Sequence, residues 1–125
     1  MTILEAINIT DSLKHNTYEQ SYKVGWLSQL DWKIFNEIIK THEGHEGGEF
    51  VPYDETTDLA NTELLIAEPY CGDVYNNYLQ MLIDRENGEI GKYNQSAMLF
   101  NAAYQDYCNW YNRTHMPMSR GYFHL

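Results

Sequence analysis

Residues 92–115 read KYNQSAMLFNAAYQDYCNWYNRTH. Apolar and aromatic residues recur in this stretch at spacings of three and four, with Asn, Gln and Asp between them. That period is typical of one face of an α-helix. The stripe consists of Tyr93, Ala97, Phe100, Tyr104, Tyr107 and Tyr111. No Gly or Pro interrupts it, and Pro117 follows where a helix has to end, so the stretch predicts one long helix.

The aromatic stripe of this helix has two interpretations. It is the core face of a small helical domain, or it holds more Tyr than one small core needs and part of it contacts a partner. The second interpretation rests on the enrichment of Tyr and Trp at interfaces. Its candidate contact residues are Tyr104, Tyr107, Trp110 and Tyr111 on the helix, together with Tyr122 and Phe123 in the segment after it.

Two helices are predicted before the middle of the chain. Thr2 and Glu5 have the spacing of a capping box, which predicts a first helix over about 3–13. A second helix over about 18–41 is predicted from apolar residues spaced three and four apart. These are Leu27, Leu30, Ile34 and Ile38.

A third helix is predicted over about 70–87, with Asn87-Gly88 as its C-terminal stop. The turn after Gly88 is short, so the third and fourth helices should be antiparallel neighbours. The sequence therefore predicts an all-α fold, a four-helix domain with two long helices over 1–115, followed by a C-terminal tail, 116–125.

Residues 42–69 form an acidic insertion between the second and third helices. No Lys or Arg occurs from His42 to Asp73. The apolar residues of the insertion form either a small hairpin or an extended chain that packs on the helices. A connection of this length is usually functional or disordered. Its acidic candidates for function are Glu43, Glu46, Glu49, Asp54, Glu55 and Asp58.

The charge balance excludes several classes of partner. The chain has 8 basic and 18 acidic residues, a net charge of −10. Neutralisation of nucleic-acid phosphates needs a basic patch, and anionic membranes attract basic segments, so neither partner is expected. The first ten residues, MTILEAINIT, lack the basic and long apolar regions of a signal peptide, and no stretch is apolar for long enough to span a membrane.

Few residues suggest chemistry. His42 and His45, beside acidic residues, are the most metal-like pair, but their spacing lies in a Gly-rich stretch and does not match a zinc-protease motif. Asp84 and Glu86 are interpreted as surface charge. No nucleotide-binding or hydrolase motif is present, so neither an enzyme nor a cofactor is expected.

Several segments spread over nearly the whole chain form a pattern that contains no catalytic motif. The segments are Trp26–Asp31, Thr41–Gly44, Glu68–Tyr70, Tyr75, Tyr78-Leu79, Ile83-Asp84, Asn87–Glu89, Tyr93-Asn94, Phe100-Asn101, Tyr104 and Asn109–His115. With these segments the chain resembles small proteins encoded in the head-tail joining region of Firmicutes phages and prophages.

The resemblance implies a head-tail connector, or adaptor, protein. It implies a helical protomer, twelve copies in a ring beneath the portal protein, and a channel through which DNA passes without specific binding. The ring would join the portal to a head-completion (stopper) or tail-terminator protein, in the virion neck after assembly in the host cytoplasm. A stopper or tail-completion role, a small metal-binding protein and a prophage-encoded regulatory protein are the alternatives.

Overall fold

The computed structural model describes residues 1–42 and 48–115, and these residues form four α-helices. The described residues contain no β-strand, and Thr2 and Glu63 form an isolated bridge. The predicted all-α, four-helix fold class is therefore confirmed. The helices are α1, Ile3–Leu13; α2, Gln20–Ile34; α3, Cys71–Asn87; and α4, Ile90–Thr114.

The start of α1 and the end of α3 are formed by the local sequence signals that predicted them. Thr2 Oγ1 accepts a hydrogen bond from Glu5 N at 3.1 Å, and Glu5 Oε1 accepts one from Thr2 N at 2.8 Å, which is the reciprocal capping box. At the end of α3, Gly88 adopts φ 74°, a left-handed conformation that glycine takes at little cost. Glu89 N donates to Asp84 O at 3.1 Å, which completes a Schellman motif.

The end of α2 differs from the prediction of one regular helix to residue 41. A π-helical turn, Phe35–Ile39, continues α2, and Lys40 N donates to Phe35 O at 2.8 Å. A π-turn widens the helix by one residue and rotates the chain beyond it. Phe35 and Ile38 are both buried, and the chain leaves the turn with His42 also buried.

α3 is the central helix, and the other three pack against it. Val74, Tyr75, Leu79 and Ile83 on α3 are fully buried. α4 lies antiparallel to α3, as predicted, because contacts near the start of one helix involve the end of the other. The ring of Tyr70, just before α3, has its centroid 5.4 Å from that of Trp110 near the end of α4, and Ser96 near the start of α4 donates to Asp84 near the end of α3.

The described part of the acidic insertion, 48–69, packs on the helices as an extended chain with turns, and no hairpin forms there. Leu64 and Ile66 are buried in the core. Backbone carbonyls of the segment accept hydrogen bonds from the first turn of α1, since Ile3 N donates to Thr62 O at 3.1 Å. The insertion therefore supplies partners for amides that a helix N-terminus leaves unsatisfied.

Candidate interaction surface

The aromatic side chains along the stripe of α4 differ in how deeply they are buried. Tyr107 and Tyr111 are 2% and 9% exposed. α4 turns both side chains into the core of the single chain, which leaves them little surface for the partner contact predicted from the sequence. Tyr104 and Trp110 are only partly buried and keep surface that a partner could contact. Tyr122 and Phe123, with the rest of the tail, lie outside the described residues.

The partly buried aromatic residues form two groups along α4, one in which Trp110 packs with Tyr70 just before α3 and one in which Phe100 packs with Tyr78 and Tyr104. The Trp110 and Tyr70 ring centroids are 5.4 Å apart, and Phe100 stacks on Tyr104 at 5.6 Å. Lys33 Nζ lies 5.9 Å from the centre of the Tyr104 ring, within the range of a cation–π contact. Burial raises the pKa of the Tyr104 hydroxyl. These two groups can offer flat, rigid apolar area to another protein.

A second surface of α4 faces away from α3 and was not singled out from the sequence. Met98, at its centre, is 73% exposed, and Leu99 at its margin is 54% exposed. The other residues around Met98 are small or carry amides. We call this surface the uncharged face of α4, and its residues are Asn94, Met98, Asn101, Ala102, Gln105 and Asn109, all exposed.

Asp31 on α2 is fully buried and joins three parts of the fold. Tyr75 of α3 donates its hydroxyl to Asp31 Oδ1 at 2.5 Å. Tyr53 of the acidic insertion donates its hydroxyl to Oδ2 at 2.6 Å, and Leu65 N donates to the same oxygen at 3.1 Å. Every donor is neutral, so this carboxyl group is held by hydrogen bonds rather than by a cation. The arrangement fixes the insertion against α2 and α3.

Burial raises the pKa of Asp31 above its ordinary value, and the hydrogen bonds from Tyr53 and Tyr75 oppose that shift only in part. A carboxyl group with a raised folded-state pKa contributes most to stability when it is protonated, below its unfolded pKa of about 4. That contribution is lost as the pH rises through the folded-state value.

The stability difference between the wild-type protein and Asp31→Asn should therefore depend on pH. We expect the wild type to lose its advantage progressively as the pH rises above about 4, because only the wild type carries the titrating carboxyl group. Urea unfolding of both proteins at a series of pH values measures the difference. A gap that widens towards neutral pH would show that the carboxylate form is the one the fold prefers.

Asp84 does not lie on the surface, which corrects the interpretation drawn from the sequence. Its side chain is fully buried, and Lys14 Nζ contacts Oδ1 at 2.7 Å. Ser96 of α4 donates its hydroxyl to Oδ2 at 2.7 Å. Glu86, by contrast, is exposed and pairs with Arg85 at 3.1 Å. Asp84 thus joins the end of α1 and the start of α4 to α3.

The imidazole ring of His42 connects the end of the π-helical turn to α4. Its Nδ1 lies 2.6 Å from Ile38 O, and its Nε2 lies 2.7 Å from the side-chain oxygen of Asn112 on α4. Both ring nitrogens are therefore engaged, and a metal would have to displace one of these contacts. His45 lies outside the described residues. In 1–42 and 48–115, no group of three or more His, Cys, Asp and Glu side chains could hold a metal ion.

A groove of about 480 Å³ opens between the start of α2 and the acidic insertion. Val24, Tyr53 and Leu59 supply its apolar wall, and Asp54 lies at its polar side. Asp54 Oδ1 already accepts from Thr56 N at 2.8 Å, and the hydrogen bonds from Thr56 lower the pKa of its carboxyl group. Ser21, Glu55 and Thr57 also line the groove.

The surface is strongly acidic, because each ion pair removes one charge of each sign and leaves the net charge of −10 unchanged. Lys23, almost fully buried, pairs with Asp11 at 2.8 Å, and Lys14 is engaged by Asp84, so two of the few cations neutralise partners at or below the surface. The acidic candidates of the insertion within the described residues are Glu49, Asp54, Glu55 and Asp58, all exposed. Glu43 and Glu46 lie outside these residues. Of the helices described, none is both long and apolar enough to cross a membrane.

Comparison of the chain with protein-family models, with curated proteins and with solved structures finds no match. Sequence reasoning identified the half-buried aromatic residues of α4 but missed Asp31, the role of Asp84 and the uncharged face of α4.

Proposed function

We propose that this protein is a structural subunit of a phage neck, a connector that forms a ring beneath the portal protein and joins it to a head-completion or tail-terminator protein. The observation that carries the proposal is the one-sided packing of α4. This helix places its inner aromatic residues in the core, yet Met98 and Leu99 remain largely exposed and Tyr104 and Trp110 only partly covered. A helix of this kind suits a protein that completes its packing with other chains.

The acidic surface supports the same proposal. A ring around a DNA channel has to let the duplex slide through, and negative charge on the channel wall repels the phosphates instead of binding them. The exposed carboxylates of the acidic insertion supply such charge. No specific contact with DNA bases is then needed.

The buried polar contacts support a rigid protomer. Asp31, Asp84 and His42 each join elements that are distant in the sequence, and no buried side-chain nitrogen or oxygen among the described residues lacks a hydrogen-bond partner. Repeated copies in a ring must present the same surfaces at the same angles, and hydrogen-bonded joints restrict the relative orientation of the helices.

Co-assembly with the portal protein of the same genome, imaged by electron microscopy, tests the proposal. We expect a ring of additional density at one end of the portal, absent from images of the portal alone, and a count of its subunits. If both proteins are folded and no complex forms, the adaptor role is wrong. Binding to the tail-completion proteins instead would then identify a tail-side neck protein, and binding to neither would overturn the neck assignment.

A further inference from the structure

The uncharged face of α4 is unusual on a protein that is otherwise strongly acidic. Between Lys92 and Arg113, Asp106 is the only charged residue, although ten of these twenty positions are exposed. The net charge of the whole chain is −10. A solvated helix surface normally carries charges that keep it soluble, so their near-absence from an exposed surface of this length indicates a contact surface.

Charge determines which partner suits this face. Two copies of an acidic protein repel each other across most of their surfaces, and a cationic partner would be drawn to the exposed carboxylates elsewhere. The uncharged face is the part of α4 that another copy can approach with the least repulsion. The distribution of charge over the surface therefore favours a second copy of this chain over a basic protein or a nucleic acid.

The chemistry of the face also suits another copy. Asn and Gln side chains carry both donors and acceptors, so a surface of amides can hydrogen-bond to the polar surface of another copy without a charged partner. Gln105 Nε2 already donates to Asn109 Oδ1 at 2.9 Å along the helix, which holds two of these amides in place. Met98, exposed on the same face, supplies a flexible apolar side chain that adapts to an opposing surface.

We infer that the uncharged face of α4, centred on Met98, is the surface through which copies of this chain contact one another. The inference rests on the proposed function in one respect, since it names the surface that would join neighbouring subunits of the ring. It requires only self-association, however, and can be tested without the portal protein.

The size of the face sets the strength expected. The face runs from Asn94 to Asn109 and is therefore about 24 Å long at about 1.5 Å per residue. A strip of that length and about 10 Å wide covers roughly a third of the ~800 Å² that each partner buries in a stable interface. Association through this face alone is therefore weak, and it becomes appreciable at high protein concentration or when neighbouring copies are held side by side.

Sedimentation velocity of the full chain over a series of concentrations tests the inference. The two variants to compare with wild type are Met98→Glu and Val51→Glu. Val51 lies in the acidic insertion and is 76% exposed, against 73% for Met98, so the variants add the same charge at equally exposed positions. We expect Met98→Glu to weaken self-association by about tenfold or more, and Val51→Glu to behave like wild type.

Salt supplies a second, independent readout. Raising NaCl from about 0.02 M to about 0.5 M shortens the Debye length from roughly 20 Å to roughly 4 Å and screens the repulsion between acidic copies. Self-association through an uncharged face should therefore become stronger with salt. Association that weakens with salt would indicate contacts between opposite charges and would overturn the inference.

Two other results would also overturn it. One is a wild-type chain that stays monomeric at the highest concentration and salt, and the other is an equal effect of the two substitutions. Thermal unfolding of both variants shows whether each is folded, and if Met98→Glu is not, Met98→Ser replaces it. If the chain binds neither the portal nor the tail-completion proteins but self-associates through Met98, the neck role is rejected and the self-association surface on α4 is supported. If the chain binds the portal but does not self-associate through Met98, only the self-association surface is rejected.

Discussion

Replacing Asp31 with Ala is expected to lower the free energy of unfolding by about 3–5 kcal/mol, the largest loss we anticipate for a single substitution in this chain. The variant would leave three donors without an acceptor: the hydroxyl groups of Tyr53 and Tyr75 and the amide of Leu65. Each unsatisfied buried donor costs about 1–3 kcal/mol. The variant no longer bears the free-energy cost of burying a carboxyl group, and this gain offsets part of the loss.

Urea unfolding measures the loss, and two further variants interpret it. Asp31→Asn keeps one acceptor oxygen but turns an amide NH₂ towards donors, so it should be destabilised less than Asp31→Ala and more than wild type. Glu55→Ala removes an exposed carboxylate of the same insertion and should leave the midpoint unchanged. If Asp31→Ala unfolds within about 1 kcal/mol of wild type, the three donors find other partners and Asp31 does not join these elements.

Replacing Lys14 with Met is expected to cost about 2–4 kcal/mol. The substitution leaves the Asp84 carboxylate fully buried with only the Ser96 hydroxyl as a partner. Breaking a buried ion pair from one side typically costs about 3–5 kcal/mol, and the value is reduced here because the Lys14 side chain is 23% exposed and water screens it.

A double-mutant comparison separates the ion pair from lost packing. Lys14→Met combined with Asp84→Asn removes both charges and retains an acceptor for Ser96, so it should recover much of the stability that Lys14→Met alone loses. Lys92→Met is the matched control, because Lys92 pairs with Glu89 at 2.9 Å on the surface, and no measurable change is expected. If the double variant is no more stable than Lys14→Met, packing of the lysine stem rather than charge stabilises the contact between Lys14 and Asp84.

Helix positions could be predicted from the sequence because they depend on local patterns. α1 occupies 3–13, as its capping box and apolar spacing predicted, and α3 and α4 begin and end within about two residues of their predicted bounds. These signals act within one turn of helix, so the residues that set each end are adjacent to it in the chain.

The buried carboxyl groups were missed for a different reason, although one signal for Asp31 was present. Asp31 lies four residues after Leu27 and three before Ile34, on the buried side of α2. An acidic residue on a buried helix face has to find partners. Its actual partners, Tyr53 and Tyr75, come from segments that only the folded chain brings together, and no local pattern identifies them.

The role of the acidic insertion was unpredictable in the same sense. Its composition suggested a loop, and its acidic side chains are indeed exposed where the structure describes them, but Leu64 and Ile66 fill the core. Two short apolar runs in a long polar segment are compatible with a hairpin or with docking on helices. The choice between them depends on how much space α2 and α3 leave, which is a property of the assembled fold.

The ion pair and hydrogen bonds between distant segments also constrain the order in which this chain can fold during synthesis. α1 and α2 emerge first from the ribosome, but Lys14 pairs with Asp84, and Asp31 accepts from Tyr53 and Tyr75, all of which are made later. A nascent chain that stops before α3 therefore lacks Asp84, the partner of Lys14, and Tyr75, one of the donors to Asp31. Commitment to the native arrangement comes late, when α3 emerges. α4 is made after α3 and docks on it, and its Tyr107 and Tyr111 then add to the core.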